Sequence, residues 1–124
     1  MTSSVALSNR YIEAHNRQDL EGLLALVDDA VEFKRAGDSP LRGKSAVRQQ
    51  YEDDWADHRS VLVTIKRIFE ADRSVAIEIH VDSGPPSNVH YGGVVVHDWN
   101  EQGHLVRYRL YVDEVTPADE CTAG

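Results

Sequence analysis

The stretch from Val89 to Val115 constrains the fold more than any other. Two β-rich runs, one ending at Trp99 and one beginning at His104, flank Asn100-Glu101-Gln102-Gly103, a polar turn that closes on glycine. Such a turn between two such runs specifies an antiparallel hairpin. With Trp99 facing His104, Val95 lies opposite Tyr108 and His97 opposite Val106. One face then carries Val95, His97, Trp99, Val106, Tyr108, Leu110 and Val112, and the other carries Val94, Val96, Asp98, Leu105, Arg107, Arg109, Tyr111 and Asp113. Neither face alternates as sharply as a ribbon with one wet side does. Both are therefore expected to be covered, one by helices of the same chain and one by a second subunit.

Upstream, Val5, Tyr11, Ile12 and His15 give residues 4 to 16 a helical period, with Ser3 or Ser4 as its cap. Asp19 caps a second helix in which Leu20, Leu23, Leu24 and Val27 fall at i, i+3, i+4 and i+7, ending near Asp28-Asp29. Ala30 to Arg35 reads as a short strand and Ala36 to Pro40 as loop. From Gly43 to about His58 a third helix places Val47, Tyr51, Trp55 and His58 on one stripe, with Glu52, Asp53, Asp54 and Asp57 on a solvated face. Ser60 to Phe69 and Ser74 to Asp82 are strands, and the two prolines of Ser83 to Asn88 require a loop. Gly92-Gly93 suggests a bulge, a bend or a close approach. This order predicts an α+β domain whose helices pack on one face of an antiparallel sheet.

At 124 residues the chain suffices for one core without staples. A domain over 1–116 and a flexible tail over 117–124 are expected. A net charge of −8 disfavours nucleic acid as a partner. Cys121 is the only cysteine, so no internal disulfide or thiolate cage forms. The first residues lack a basic and then apolar leader and no later run is long enough to span a bilayer, so a cytoplasmic protein without membrane contact is expected.

RYIEAHNRQDLEGLLALVDDAVEF, the helix start Gly43-Lys44-Ser45-Ala46-Val47 and the closing strand LVRYRLYVDE resemble the NTF2-like superfamily, in its SnoaL-like and ketosteroid-isomerase-like branch. The similarity runs from about residue 7 to 115. It implies a cone of three N-terminal helices packed on a strongly curved, mostly antiparallel sheet. It also implies a cofactor-free enzyme (isomerase, cyclase, dehydratase or epoxide hydrolase) acting by proton transfer on a small hydrophobic, oxygenated molecule. The scaffold equally hosts non-catalytic binding or dimerisation domains. Tyr11 and Tyr51 stand where steroid isomerases carry their substrate-binding and supporting tyrosines, whereas Lys34 and Val95 occupy the positions of their two acids. His80-Val81-Asp82 imitates half of the epoxide hydrolase trio, with Leu110 where its last Asp belongs.

The candidate catalytic residues are Tyr11 and Tyr51, as phenol donors to a developing oxyanion, and His97, as an acid/base near neutral pH. His15, Phe33, Lys34, Trp55, Val95, Tyr108, Leu110 and Val112 are expected to line the pocket. Glu78, His80 and Asp82 share a strand face and could work as an acid, an orienting group and a base. The apolar alternates Val75 to Val81 compete for the inward side, so an outer face is expected, which a one-residue change of hairpin register would reverse. No helical or thiolate metal pattern accompanies the six histidines, so no metal is expected. Val94, Val96, Leu105 and Tyr111 predict a homodimer through the outer sheet face.

Overall fold

Ser3 takes an extended backbone, and its hydroxyl accepts from the Ala6 amide at 3.1 Å, starting helix α1 (Ser4–Asn16). In the computed structural model, which describes residues 2–56, 61–84 and 89–117 (backbone only at 89 and 114–117), α1 buries Leu7, Ser8, Tyr11, Ile12 and Ala14. Asp19 caps α2 (Leu20–Leu24) by accepting from the Gly22 amide at 3.0 Å. This helix is shorter than its leucine spacing suggests. Val27, read as its last turn, instead opens strand β1 (Val27–Lys34), because the Leu105 amide donates to the Leu26 carbonyl at 2.7 Å and draws the chain into the sheet. Tertiary pairing has overridden helical period here.

Strand β2 (Leu41–Arg42) pairs antiparallel with β1 and was not foreseen; its two residues are too short to show a period. Helix α3 (Lys44–Ala56) follows, with Val47 and Tyr51 buried; His58 lies outside the described residues. Strands β3 (Val61–Ala71), β4 (Ser74–Ser83), β5 (Val89–Trp99) and β6 (Leu105–Pro117) complete a sheet in the order β2-β1-β6-β5-β4-β3. One expectation needs correction: the helices are not all N-terminal, since α3 comes after β1 and β2. The sheet is mostly antiparallel, and β1 makes it mixed by running parallel to β6. β6 continues through Pro117, the first residue assigned to the tail; Cys121 lies outside the described residues.

The hairpin forms in a different register. Asn100 closes the turn by donating its amide to the His104 carbonyl and accepting the His104 amide on its side chain, so His104 belongs to the loop and Trp99 faces Leu105. Leu105 therefore points inward and is fully buried, not exposed as its sequence parity implied. A bulge at Asp98/Trp99 absorbs Val106 and restores the parity, pairing His97 with Tyr108 and Val95 with Leu110. A second bulge falls at Gly92/Gly93, where the sequence indicated one.

Val75, Ile77, Ile79 and Val81 line the inner face of β4 with no more than 4% exposure, and Glu78, His80 and Asp82 face out as expected. Full burial of each such aliphatic side chain contributes ~1.5–3 kcal/mol. α1 packs against β3 and β4 and α3 against β1 and β2, so both main helices lie on that inner face.

Candidate functional site

Between α3, the end of α1 and the inner sheet lies a cavity of about 320 Å³. His15, Tyr51 and Trp55 reach it from the helices, Arg35 and Asp54 form part of its wall, and Val61, Val63, Ile79, Val81, Tyr91, Tyr108 and Leu110 supply the sheet side. Its size is at the lower end for small-molecule sites, and a few polar groups among apolar ones is the composition such sites have.

Tyr51 presents its phenol to this cavity while its hydroxyl bonds that of Tyr11 at 2.8 Å. Tyr11 sits one layer deeper, edge-on to His97 at 5.1 Å between ring centroids. Burial raises the Tyr11 phenol well above its ordinary pKa, with the neighbouring Tyr51 and Tyr108 adding to the effect. The Tyr51 phenol is pushed up by burial to about 12. Both are therefore neutral hydrogen-bond donors at physiological pH.

His97 lies behind them. It is fully buried; Nδ1 bonds the Ser8 hydroxyl at 2.8 Å, and the same hydroxyl accepts from the Trp99 indole at 3.0 Å. Its Nε2 is buried without a hydrogen-bond partner among the described residues. A void of about 30 Å³ adjoins it, lined also by Tyr11, His15, Val95 and Tyr108 and large enough for about one water. Burial lowers the imidazole pKa to about 3. His97 is a neutral ring at any physiological pH.

His15 differs in being at the cavity itself, T-shaped to Tyr51 at 5.9 Å and to Trp55 at 6.0 Å. Its Nδ1 lies 3.4 Å from the Asn16 side-chain oxygen, and Asn16 is clamped by both its amide and its carbonyl to the Val63 backbone at 2.9 Å. With that oxygen an acceptor, the His15 proton resides on Nδ1 and the lone pair on Nε2. Burial lowers its pKa below 6.5, which keeps it ready to accept a proton.

Arg35 donates to Asp54 at 2.8 Å and to Asp38 at 3.2 Å and lies over the Phe33 ring at 5.9 Å. Burial alone weakens the guanidinium's hold on its proton, but the hydrogen bond and charge of Asp54 more than offset it. Gln50 supports the carboxylate from the preceding turn at 3.0 Å. Neither Arg35 nor Asp54 was singled out from sequence, and Asp54 was assigned to a solvated face. The signal for Arg35 was parity: Val31, Phe33 and Arg35 alternate, so Arg35 follows the two buried residues inward. Asp54 adjoins Trp55 and sits three residues beyond Tyr51, at the edge of the buried stripe.

The remaining candidates do not all meet. Tyr108 and Leu110 line both the main cavity and a second one of about 460 Å³; Phe33, Lys34 and Val112 line only the second. Phe33 stacks on Tyr108 at 4.2 Å, and Lys34 donates to the Arg35 carbonyl at 2.7 Å. Although larger, that second cavity holds no buried phenol hydroxyl pair or imidazole. Its charges largely pair with one another, with Arg42 and Arg107 both on Glu32 at 2.9 and 3.3 Å.

Comparison with known proteins identifies the fold. Among solved structures, a Mycobacterium tuberculosis protein in complex with estradiol-17beta-hemisuccinate superposes with a TM-score of 0.81 at 22% identity, over 93% of this chain and 99% of that one. An M. tuberculosis LEH-like epoxide hydrolase gives 0.80 at 19% identity, covering 89% and 82%. A putative ketosteroid isomerase from Kribbella flavida gives 0.77 at 18% identity, covering 90% and 78%. At such identities the likeness establishes the NTF2-like fold. A search of curated proteins finds no match. The model of the SnoaL-like domain matches residues 9–108, most of the length, and the chain belongs to that family.

Proposed function

We propose that the chain binds a small, mostly apolar molecule carrying a carbonyl, ether or epoxide oxygen in the 320 Å³ cavity and transforms it by proton transfer. One observation carries the reading: a phenol donor and a neutral imidazole stand side by side on one cavity wall, Tyr51 and His15, 5.9 Å apart. With the Tyr11 hydroxyl as the donor of their hydrogen bond, the Tyr51 proton is left for the substrate oxygen. As charge develops on that oxygen, Tyr51 stabilises it, and a donor so placed is worth ~2.7–4 kcal/mol in the transition state. The lone pair of His15 takes a proton from carbon or from an attacking water.

His97 serves this relay from behind, by packing on Tyr11, and does not itself exchange protons near neutral pH. Lys34 and Val95 stand where the acids of steroid isomerases would be, so an isomerisation here would run through His15. Neighbours of this fold include a steroid complex and an epoxide hydrolase-like enzyme, which supports both the ligand class and the chemistry. A second reading, ligand binding without turnover, is favoured by one observation: Arg35, the strongest cation at the wall, is already engaged by two carboxylates.

Mass spectrometry of small molecules that copurify with the chain, followed by NMR of each against catalytic amounts of protein, tests the proposal. Conversion abolished by Tyr51→Phe and by His15→Gln, with binding retained, supports it. Binding with no conversion selects the second reading, and failure to bind any apolar oxygenated compound removes both.

The protein is further proposed to act as a homodimer. Leu62, Phe69, Val94 and Tyr111, the large hydrophobics exposed among the described residues at 52, 60, 37 and 54%, share the outer sheet face. A second copy, with the same face, is the occupant.

A further inference from the structure

On the outer face of β4 and β5, two imidazoles and a carboxylate converge. Asp82 and His90 are direct cross-strand partners, and the Asp82 Oδ1 contacts His90 Nδ1 and also His80 Nε2, the latter at 3.2 Å. One ligand atom from each residue lies within 4.8 Å of the other two. The residue opposite His80 is Gly92, which places no side chain between the rings, and the two imidazoles stack with centroids 6.0 Å apart. In the single chain all three side chains are between 35 and 42% exposed and fixed on paired strands, beside Leu62 and Val94 of the proposed dimer face.

The geometry points to a divalent transition-metal site, His80-Asp82-His90, for Zn²⁺ or an ion of similar preference. Two neutral imidazole nitrogens and one carboxylate oxygen suit Zn²⁺, Cu²⁺, Ni²⁺ or Fe²⁺ and disfavour Mg²⁺ and Ca²⁺, which take oxygen ligands. Three protein ligands leave at least one coordination position for water or for a group from a partner. A common ion with bonds of about 2.0–2.2 Å would replace the Asp82 contacts to the two rings, with Asp82 turning away from His90 and the imidazole nitrogens turning toward the ion by side-chain rotation. Sequence spacing could not reveal the set, because two ligands alternate along one strand and the third comes from the next.

The position gives the site a consequence. Val81 and Tyr91, which pair across the same two strands, face the opposite way and line the 320 Å³ cavity. A cation bridging His80, Asp82 and His90 ties β4 to β5 directly behind that wall. Binding should therefore stabilise the folded chain by mass action and hold the cavity's sheet side in one arrangement.

The test uses untagged, chelator-treated full-length protein titrated with Zn²⁺ alone. Equilibrium dialysis with elemental analysis should give about one Zn²⁺ per chain, and the midpoint of thermal unfolding should rise on addition. His80→Gln with His90→Gln should abolish both effects. Glu78→Gln, on the same face but outside the set, should leave them intact. In the wild-type protein, NMR should show the ring signals of His80 and His90 perturbed together while those of His15 and His104 stay in place, a readout that needs no variant to fold. Absence of saturable Zn²⁺ binding, or equal binding by the double variant, would overturn the assignment.

Discussion

Tyr11 and Tyr51, on different helices, meet hydroxyl to hydroxyl at 2.8 Å beneath the cavity. The pair is asymmetric: Tyr51 borders the cavity, whereas Tyr11 borders only the small void beside His97. Tyr51→Phe strands a buried Tyr11 hydroxyl and should cost about 1–3 kcal/mol of stability. Tyr11→Phe leaves the Tyr51 hydroxyl able to turn to the cavity and its water, and should cost less, about 0.5–1.5 kcal/mol. The double variant should be less destabilised than the sum of the two. Urea unfolding of all four proteins measures the cycle, and strict additivity would mean that the bond contributes nothing.

The His97 imidazole takes up a proton near 6.5 in the unfolded chain but only near 3 in the folded one. Between those values the unfolded chain binds a proton that the folded chain refuses. The stabilisation is thus whole above 6.5 and is lost progressively as pH falls toward 3, and His15, also lowered by burial, adds in the same direction. His97→Gln should flatten the acid limb of the stability profile by up to ~1.4 kcal/mol per pH unit. Unfolding free energies at about pH 7 and about pH 5 compare the two proteins across the range where histidine ordinarily titrates. Parallel profiles would show that His97 binds its proton equally well in the folded and unfolded chains.

Period and parity made much of this legible. The stripe Val47, Tyr51, Trp55 and the alternation Val75 to Val81 are local patterns, and the structure buries those residues, Trp55 only in part. Where one residue changes the count, the reading failed: the turn takes His104, a bulge absorbs Val106, and Leu105 changes faces between the two. Parallel pairing of β1 with β6 was equally hidden, since it joins distant segments through a backbone bond at Leu26 that no side chain announces. The site followed the same division. Tyr51, Trp55 and His15 were found on helical stripes, but Arg35 and Asp54 look like surface residues until the fold brings them within 2.8 Å.

Gly92 and Gly93 are adjacent, yet the structure treats them differently. A Cβ at Gly93 would lie 2.4 Å from the Tyr111 carbonyl oxygen of the neighbouring strand, a backbone atom that cannot move without breaking the bulge. At Gly92 the nearest atom is the Ile79 carbonyl oxygen at 3.8 Å, an ordinary contact. Gly93→Ala should therefore destabilise by about 1–3 kcal/mol or more, and Gly92→Ala by under ~0.5 kcal/mol. Chemical denaturation distinguishes them, and equal costs would mean that β5 and β6 are not held in the bulged register.

Val94 and Tyr111 are cross-strand partners at the centre of the outer face, with Phe69 and Leu62 toward the β3 edge. An apolar set gathered on one side of a sheet costs solvation unless it is covered, and a second copy covers both faces at once through a two-fold axis. Sedimentation velocity should show a dimer at micromolar concentration. A glutamate at both Val94 and Tyr111 would place two negative charges from each subunit in the contact, on a chain already at −8, so the double variant should sediment as a monomer with its far-UV spectrum unchanged. A wild-type monomer, or a variant that still dimerises, would assign the association to another surface.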